Sequence, residues 1–141
     1  MKKSIFLILI FILFIGCKPQ PLLTEEQLLN TEAKDYQTKI YNEPKKAILS
    51  SIGRMMQRLY FSFETADDKN GIYSGYISAY SVASQIIIKV KEIDIHHTSV
   101  TVYQQIRENN ITKPEVLSDK KHFDIFFSLL DSTIDEQKKN E

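Results

Sequence analysis

The feature of this 141-residue sequence that most restricts its possible folds is an aromatic stripe near the C-terminus. Five apolar residues recur at positions i, i+3, i+4, i+7 and i+11, namely Phe123, Phe126, Phe127, Leu130 and Ile134. This period predicts an amphipathic helix, and so large an apolar face must pack on another element to leave water. Ser118 is the predicted cap of this helix. The polar residues 137–141 are predicted to form a flexible tail.

The packing partner of this helix is predicted from alternating segments earlier in the chain. Polar and apolar residues alternate with the period of a strand in five segments, residues 36–41, 60–64, 72–80, 85–92 and 98–104. The turn residues between the second and third segments end in Asn70-Gly71, which favours a hairpin there. We therefore expect a sheet whose neighbouring strands are mostly antiparallel.

A second amphipathic helix is predicted after the first strand. Pro44 suits the first turn of a helix, with Asn42 or Glu43 as its cap. Apolar residues then recur at helical spacing, namely Ile48, Ile52, Met55, Met56 and Leu59. The element order β-α-β-β-β-β-α predicts an α+β fold, a two-layer sandwich with both helices on one face of about five strands. The domain is predicted over residues 35–136.

The N-terminus has the layout of a secretory signal. Lys2 and Lys3 precede an uncharged apolar run from Ile5 to Ile15, and Gly16 and Cys17 follow it. A helix of this run is only about 18 Å long, whereas the hydrocarbon core of a bilayer is about 30 Å thick. The pattern predicts a signal peptide over residues 1–16. An ordinary secreted protein and an uncleaved short anchor are the alternatives.

Cys17 is the only cysteine of the chain, so no internal disulfide can form. Residues 13–17, Leu-Phe-Ile-Gly-Cys, resemble the lipobox of bacterial lipoproteins, with Phe14 where that motif usually has Leu. The resemblance implies lipid on Cys17, and several acyl chains hold a protein stably at a membrane. The expected location is the bacterial cell envelope. Lys18 favours the outer membrane, because Asp at that position signals inner-membrane retention in enteric bacteria.

Residues 17–34 are predicted to form a lipid-anchored spacer with a short helix inside it. Thr24 and Gln27 match a capping box, and Leu23 and Leu28 are placed to pack across that cap. A helix this short is not stable alone, so it either docks on the domain or stays mobile. The sequence does not decide between the two.

Charge and motif content disfavour several classes of function. Loss of Lys2 and Lys3 with the signal leaves the 18 acidic residues in excess by two, so a nucleic-acid partner is not expected. Adjacent residues of a strand point to opposite faces, so His96 and His97 are poorly placed to share a metal, and His122 is distant in sequence. The turn at 67–71 lacks the ligand spacing of a calcium loop. No nucleophile motif or Gly-rich loop is present. We expect no enzyme activity, metal or cofactor.

Tyrosines of the third strand define a possible interaction face. Tyr73, Tyr76 and Tyr80 are the candidates, because tyrosine buries large area in interfaces while keeping a polar tip. The alternative is that these tyrosines pack across strands and stabilise the sheet.

Four further segments resemble a known family in their order along the chain. They are Tyr36-Gln37-Thr38-Lys39, the helix led by Pro44, residues 67–72 and residues 122–127. With Cys17 they resemble a family of small, functionally uncharacterised bacterial lipoproteins. Its layout is similar to the helix-grip domains of outer-membrane assembly accessory lipoproteins. The resemblance covers residues 34–136, and it implies a fold and a location but no reaction.

Two functions are compatible with these features. The first is a membrane-anchored, non-enzymatic interaction or structural module that contacts an envelope protein through an open sheet face or a strand edge. The second is a binding module for a small apolar or lipid ligand, held between the C-terminal helix and the sheet beneath Phe123, Phe126 and Phe127. The oligomeric state is left open.

Overall fold

An antiparallel sheet forms the centre of the protein in the computed structural model, which describes residues 21–79, 82–108 and 113–140. The strands are β1 (Thr38–Tyr41), β2 (Ser62–Asp67), β3 (Ile72–Ala79), β4 (Val82–Glu92), β5 (Thr98–Arg107) and β6 (Glu115–Val116). Their order across the sheet is β1-β5-β4-β3-β2, and the short β6 also pairs with β5. Every pairing is antiparallel.

Helices are α1 (Glu25–Leu29), α2 (Lys45–Arg58) and α3 (Lys120–Lys139), and a 3₁₀ turn covers Asp35–Gln37. The apolar stripes of α2 and α3 pack together on one face of the sheet, where they form the main core with residues of β3, β4 and β5. This arrangement confirms the predicted α+β fold with two helices on one sheet face. The predicted element order is also observed, with β6 added before α3. Within the described ranges, no helix is both long enough and apolar enough to cross a membrane.

The ends of the two long helices differ from the sequence predictions. Pro44 is itself the N-cap of α2, which has no side-chain cap, so neither Asn42 nor Glu43 caps the helix. Asp119 caps α3 in place of Ser118, because its carboxylate accepts a hydrogen bond from the backbone N–H of Lys121 at 3.0 Å.

The C-terminal end of α3 extends beyond the predicted boundary. Residues 137–139, predicted to lie in a flexible tail, are helical. The amide of Gln137 contacts the hydroxyl groups of Ser50 and Ser51, and Lys138 forms an ion pair with Glu43. These contacts join the last turn of α3 to α2 and to the residues that precede it, so long-range bonds hold a segment that is polar in sequence.

The second sheet face carries a smaller core. Leu28 of α1, Ile87 of β4 and Tyr103 of β5 are buried together, with Leu23 and Ile72 packed against them. The short helix therefore docks on the domain, the first of the two outcomes left open by the sequence. The sheet is covered on both faces at its centre.

The edge of β5 is occupied along its length by three different partners. β1 pairs with residues 98–101, and β6 pairs with Gln105 and Ile106. Between them, the side-chain amide of Gln37 donates to the carbonyl of Val102 at 2.9 Å. The side chain of the buried Gln37 thus bonds to β5 at a position where no backbone strand pairs with it. β1 is shorter than predicted, because residues 35–37 form the 3₁₀ turn.

Candidate functional site

The residues predicted to form the functional surface are separated by the structure. Cys17 and Tyr80 lie outside the described residues. Tyr73 is only 7% exposed and belongs to the core beneath α2 and α3, where its hydroxyl donates to the carboxylate of Asp68. Burial, followed by the bond to Asp68, raises the pKa of Tyr73. Tyr73 is therefore a core residue and must be removed from the predicted interaction face.

Tyr76 lies on the opposite sheet face from Tyr73, because residues three apart in a strand point to opposite sides. It is half-buried and stands between Ser62 of β2 and Gln85 of β4. Of Tyr73 and Tyr76, only Tyr76 is partly exposed at the surface. The helix α1 covers the centre of that face. The sequence predicted an open sheet face, and this prediction is wrong for the centre of the sheet.

A buried glutamine ties the N-terminal segment to the centre of that second face. The side chain of Gln105 accepts from the backbone N–H of Leu23 at 2.9 Å and donates to the carbonyl of Leu23 at 2.8 Å. Its amide also donates to the side-chain oxygen of Gln85 at 2.6 Å. Gln105 is fully buried, so these bonds satisfy an amide that would be costly to bury alone. The backbone at Leu23, just before α1, is thus attached to β5.

The two residues that close the second face give different sequence signals. The capping box of Thr24 and Gln27 predicted the short helix that carries Leu28, but not whether this helix docks on the domain. The role of Gln105 could not be predicted either. Nothing in the run Gln104-Gln105 shows which of the two side-chain amides faces Leu23, which lies 82 positions away in sequence.

Among the described residues other than glycine, Tyr60 is the one with a positive φ. It follows the last turn of α2, where its N–H bonds to the carbonyl of Gln57 and the N–H of Phe61 bonds to the carbonyl of Met56, both at 3.1 Å. This bonding closes a Schellman motif, whose left-handed position usually holds Gly. Tyr60 adopts a φ of 60°, which costs roughly 1–2 kcal/mol for a residue with a Cβ. Its side chain is nevertheless 85% exposed, so packing does not offset the cost.

The strand that follows Tyr60 forms an edge of the sheet. β2 pairs with β3 alone, and its outer backbone groups have no partner strand among the residues that the structure describes. Phe63 of β2 is 47% exposed. The register shifts between Phe63 and Thr65, so Glu64 forms a bulge, and its carboxylate accepts from the side chain of Gln85. The exposed rings of Tyr60 and Phe63 therefore lie beside the open edge of β2.

The histidines form no cluster with other ligand residues. His97 lies in the β4–β5 connection with its Nδ1 atom 2.8 Å from the carboxylate of Asp94. The backbone N–H of His96, followed by the His97 side chain, holds the pKa of Asp94 below its usual value. In the described part of the chain, no three His, Cys, Asp or Glu residues are grouped as metal ligands.

The interface between α3 and the sheet is filled by side chains. Phe123 and Leu130 are almost fully buried there, and the rings of Phe126 and Phe127 meet edge to face at 5.3 Å. The larger grooves lie at the surface. One of about 410 Å³, between α2 and α3, is lined partly by Ala47, Ser50 and Gln137.

The described geometry defines a class, a small α+β domain with helices α2 and α3 on one sheet face and a docked N-terminal segment on the other. No protein-family model and no curated protein matches the chain. One similar solved structure is the adenylate sensor from AMP-activated protein kinase in complex with 5-aminoimidazole-4-carboxamide 1-beta-D-ribofuranotide. It is 12% identical with a TM-score of 0.43, over 68% of this chain and 93% of that chain. A similarity at this level says nothing about what this protein binds.

Proposed function

We propose that the protein is a lipid-anchored envelope lipoprotein that acts as a non-enzymatic interaction module. The observation that carries the proposal is the position of Cys17, the only cysteine, directly after Gly16 and an uncharged apolar run. The bonds between Gln105 and Leu23 support it, because they connect the segment after Cys17 to the middle of the sheet. A lipid on Cys17 then places the sheet at a membrane, with the outer membrane favoured by Lys18.

The interaction role is supported by the exposed groups at one end of the sheet. Tyr60 and Phe63 expose aromatic rings beside the open edge of β2. Exposed aromatic side chains and unpaired strand edges are features that proteins use to bind partners. The alternative of an apolar ligand beneath Phe123, Phe126 and Phe127 has no such support, because packed side chains occupy that interface.

Metabolic labelling with an alkyne fatty acid tests the anchor in the native host. We expect the wild-type protein to take up the label and to fractionate with membranes, since thioether and amide acylation both require Cys17. Cys17→Ser should lose the label and leave the membrane fraction or stay uncut. Phe14→Leu, which restores the usual lipobox residue, is the matched control and should label at least as well as the wild type. Equal labelling of Cys17→Ser would refute the proposal.

A further inference from the structure

Tyr60 belongs to a groove with cationic chemistry. The groove has a volume of about 380 Å³ and is lined by Arg54, Gln57, Arg58 and Tyr60. Arg58 bonds to Glu136 of α3 at 2.6 Å. Within the described ranges, Arg54 has no carboxylate partner. Arg58 already has a carboxylate partner, so the groove offers the guanidinium of Arg54 beside the ring of Tyr60, a combination complementary to an acidic group.

The groove lies where β2 begins. Tyr60 is separated from Ser62, the first residue of β2, by Phe61 alone. An extended segment added to β2 in the antiparallel sense of this sheet runs towards the groove as it passes Ser62. The residues at the C-terminal end of such a segment then reach Arg54 and Tyr60.

The residues of β2 argue against a second copy of this chain as the occupant. Glu64 and Asp67 are the only charged residues of the strand, and both are acidic. Two β2 strands paired with each other place four carboxylates along one seam, without a lysine or arginine from either strand.

We propose that the β2 edge is a strand-addition site for an extended segment of a partner protein whose C-terminal end is acidic. Backbone bonds to β2 hold the segment, an acidic side chain pairs with Arg54, and an apolar side chain packs on Tyr60 and Phe63. The strained conformation of Tyr60 is consistent with this role, because the backbone there exposes an aromatic ring that packing in the monomer does not need. The proposal deepens the interaction role proposed above and rests on it.

Site-specific photo-crosslinking of the full chain in its native host tests the proposal. A photo-crosslinking amino acid replaces Ala66, which is exposed on β2, and the same amino acid at exposed Ser128 on α3 provides the background. We expect position 66 to crosslink to one segment, identified by mass spectrometry of the linked peptide, with acidic residues at its C-terminal end. Arg54→Glu should lower the yield about tenfold, and Lys46→Glu on the same helix should leave it unchanged.

Tyr60→Gly separates binding from folding. Gly relieves the left-handed backbone, so the urea midpoint should rise while the crosslink yield at position 66 falls. A folded, more stable variant with undiminished crosslinking overturns the proposal. So do crosslinks to a second copy of this chain, to lipid alone, or to a segment without acidic residues. Fatty-acid labelling of Cys17 is measured on the same samples. Normal labelling without crosslinking at position 66 would contradict the strand-addition site and leave the proposed lipid anchor standing.

Discussion

Two residues with positive φ show how differently side chains tolerate the same backbone. Gly71 and Tyr60 have φ values of 67° and 60°. Gly71 ends the β2–β3 turn, and its carbonyl accepts from the N–H of Val90 at 2.7 Å. The Asn70-Gly71 pair predicted this turn from sequence. Tyr60 has no comparable signal, because the run Leu59-Tyr60-Phe61 lacks the Gly that normally ends a helix in this way.

The contact between Gly71 and β4 makes a residue-scale prediction. A Cβ added at Gly71 would lie 2.0 Å from the carbonyl oxygen of Val90. Gly71→Ala should therefore lower the free energy of unfolding by about 2 kcal/mol or more, from the clash and the left-handed backbone together. Gly53→Ala is the control, since nothing lies within 4 Å of its added Cβ, and it should raise stability by about 0.5–1 kcal/mol. Urea unfolding measures the stability of both variants. Equal stabilities would contradict the close contact between Gly71 and Val90.

At the scale of elements, the strands and the two long helices could be predicted because their signals are periodic. The alternation of β4 and the stripes of α2 and α3 fall on one face each, so local sequence is sufficient. The docking of α1 could not be predicted, because its partners Ile87 and Tyr103 are distant in sequence. The last turn of α3 was missed for the same reason, since Gln137 and Lys138 contact residues near the start of α2.

The docking of α1 predicts unequal roles for its two leucines. Leu28 is fully buried against Ile87 and Tyr103, whereas Leu29 is partly buried. Leu28→Ala should cost about 2–4 kcal/mol of unfolding free energy, through lost burial and the cavity that remains. Leu29→Ala should cost clearly less. Hydrogen exchange of residues 24–34 should increase in the first variant alone. Similar effects of the two substitutions would indicate that α1 is not held through Leu28.

At the scale of the whole molecule, the sequence could not place the predicted interaction face on the fold. The sequence indicated that tyrosines and a strand edge could bind a partner. Alternation does not show which face the helices cover, so the sequence left Tyr73 open between an interaction face and packing within the sheet, and the structure places it in the core. Within the described residues the fold covers both faces at the sheet centre, and the outer edges of the two end strands, β1 and β2, have no partner strand.

Acid should weaken the whole fold. Backbone and side-chain bonds from Asn70 hold the pKa of Asp67 below its usual 3.8, and the pKa of Asp94 is lowered in the same direction. A carboxyl with a lower pKa in the folded state stabilises the fold above its unfolded pKa, and this contribution is lost as the pH falls through the folded value. Urea midpoints should therefore decrease below pH 3.8.

The variant that tests this effect is Asp67→Asn combined with Asp94→Asn. It keeps the size of both side chains and removes their titration, so its urea midpoint should fall less steeply with acid than that of the wild type. Parallel curves for the two proteins would assign the acid sensitivity to other groups.

The bonds between Gln105 and Leu23 also determine how far the domain can reach. Leu23 lies six positions after Cys17, so covalent geometry limits the distance between the two residues to about 21 Å. The outer edge of β2 lies three strands from β5, a further 14 Å or so. A domain lipidated on Cys17 would therefore meet a partner at the Ser62 end of β2 within about 35 Å of the lipid surface, because Ser62 is in register with Gln105 across the sheet. Under the proposed lipidation, a partner of the β2 edge would therefore have to present its binding segment close to the bilayer.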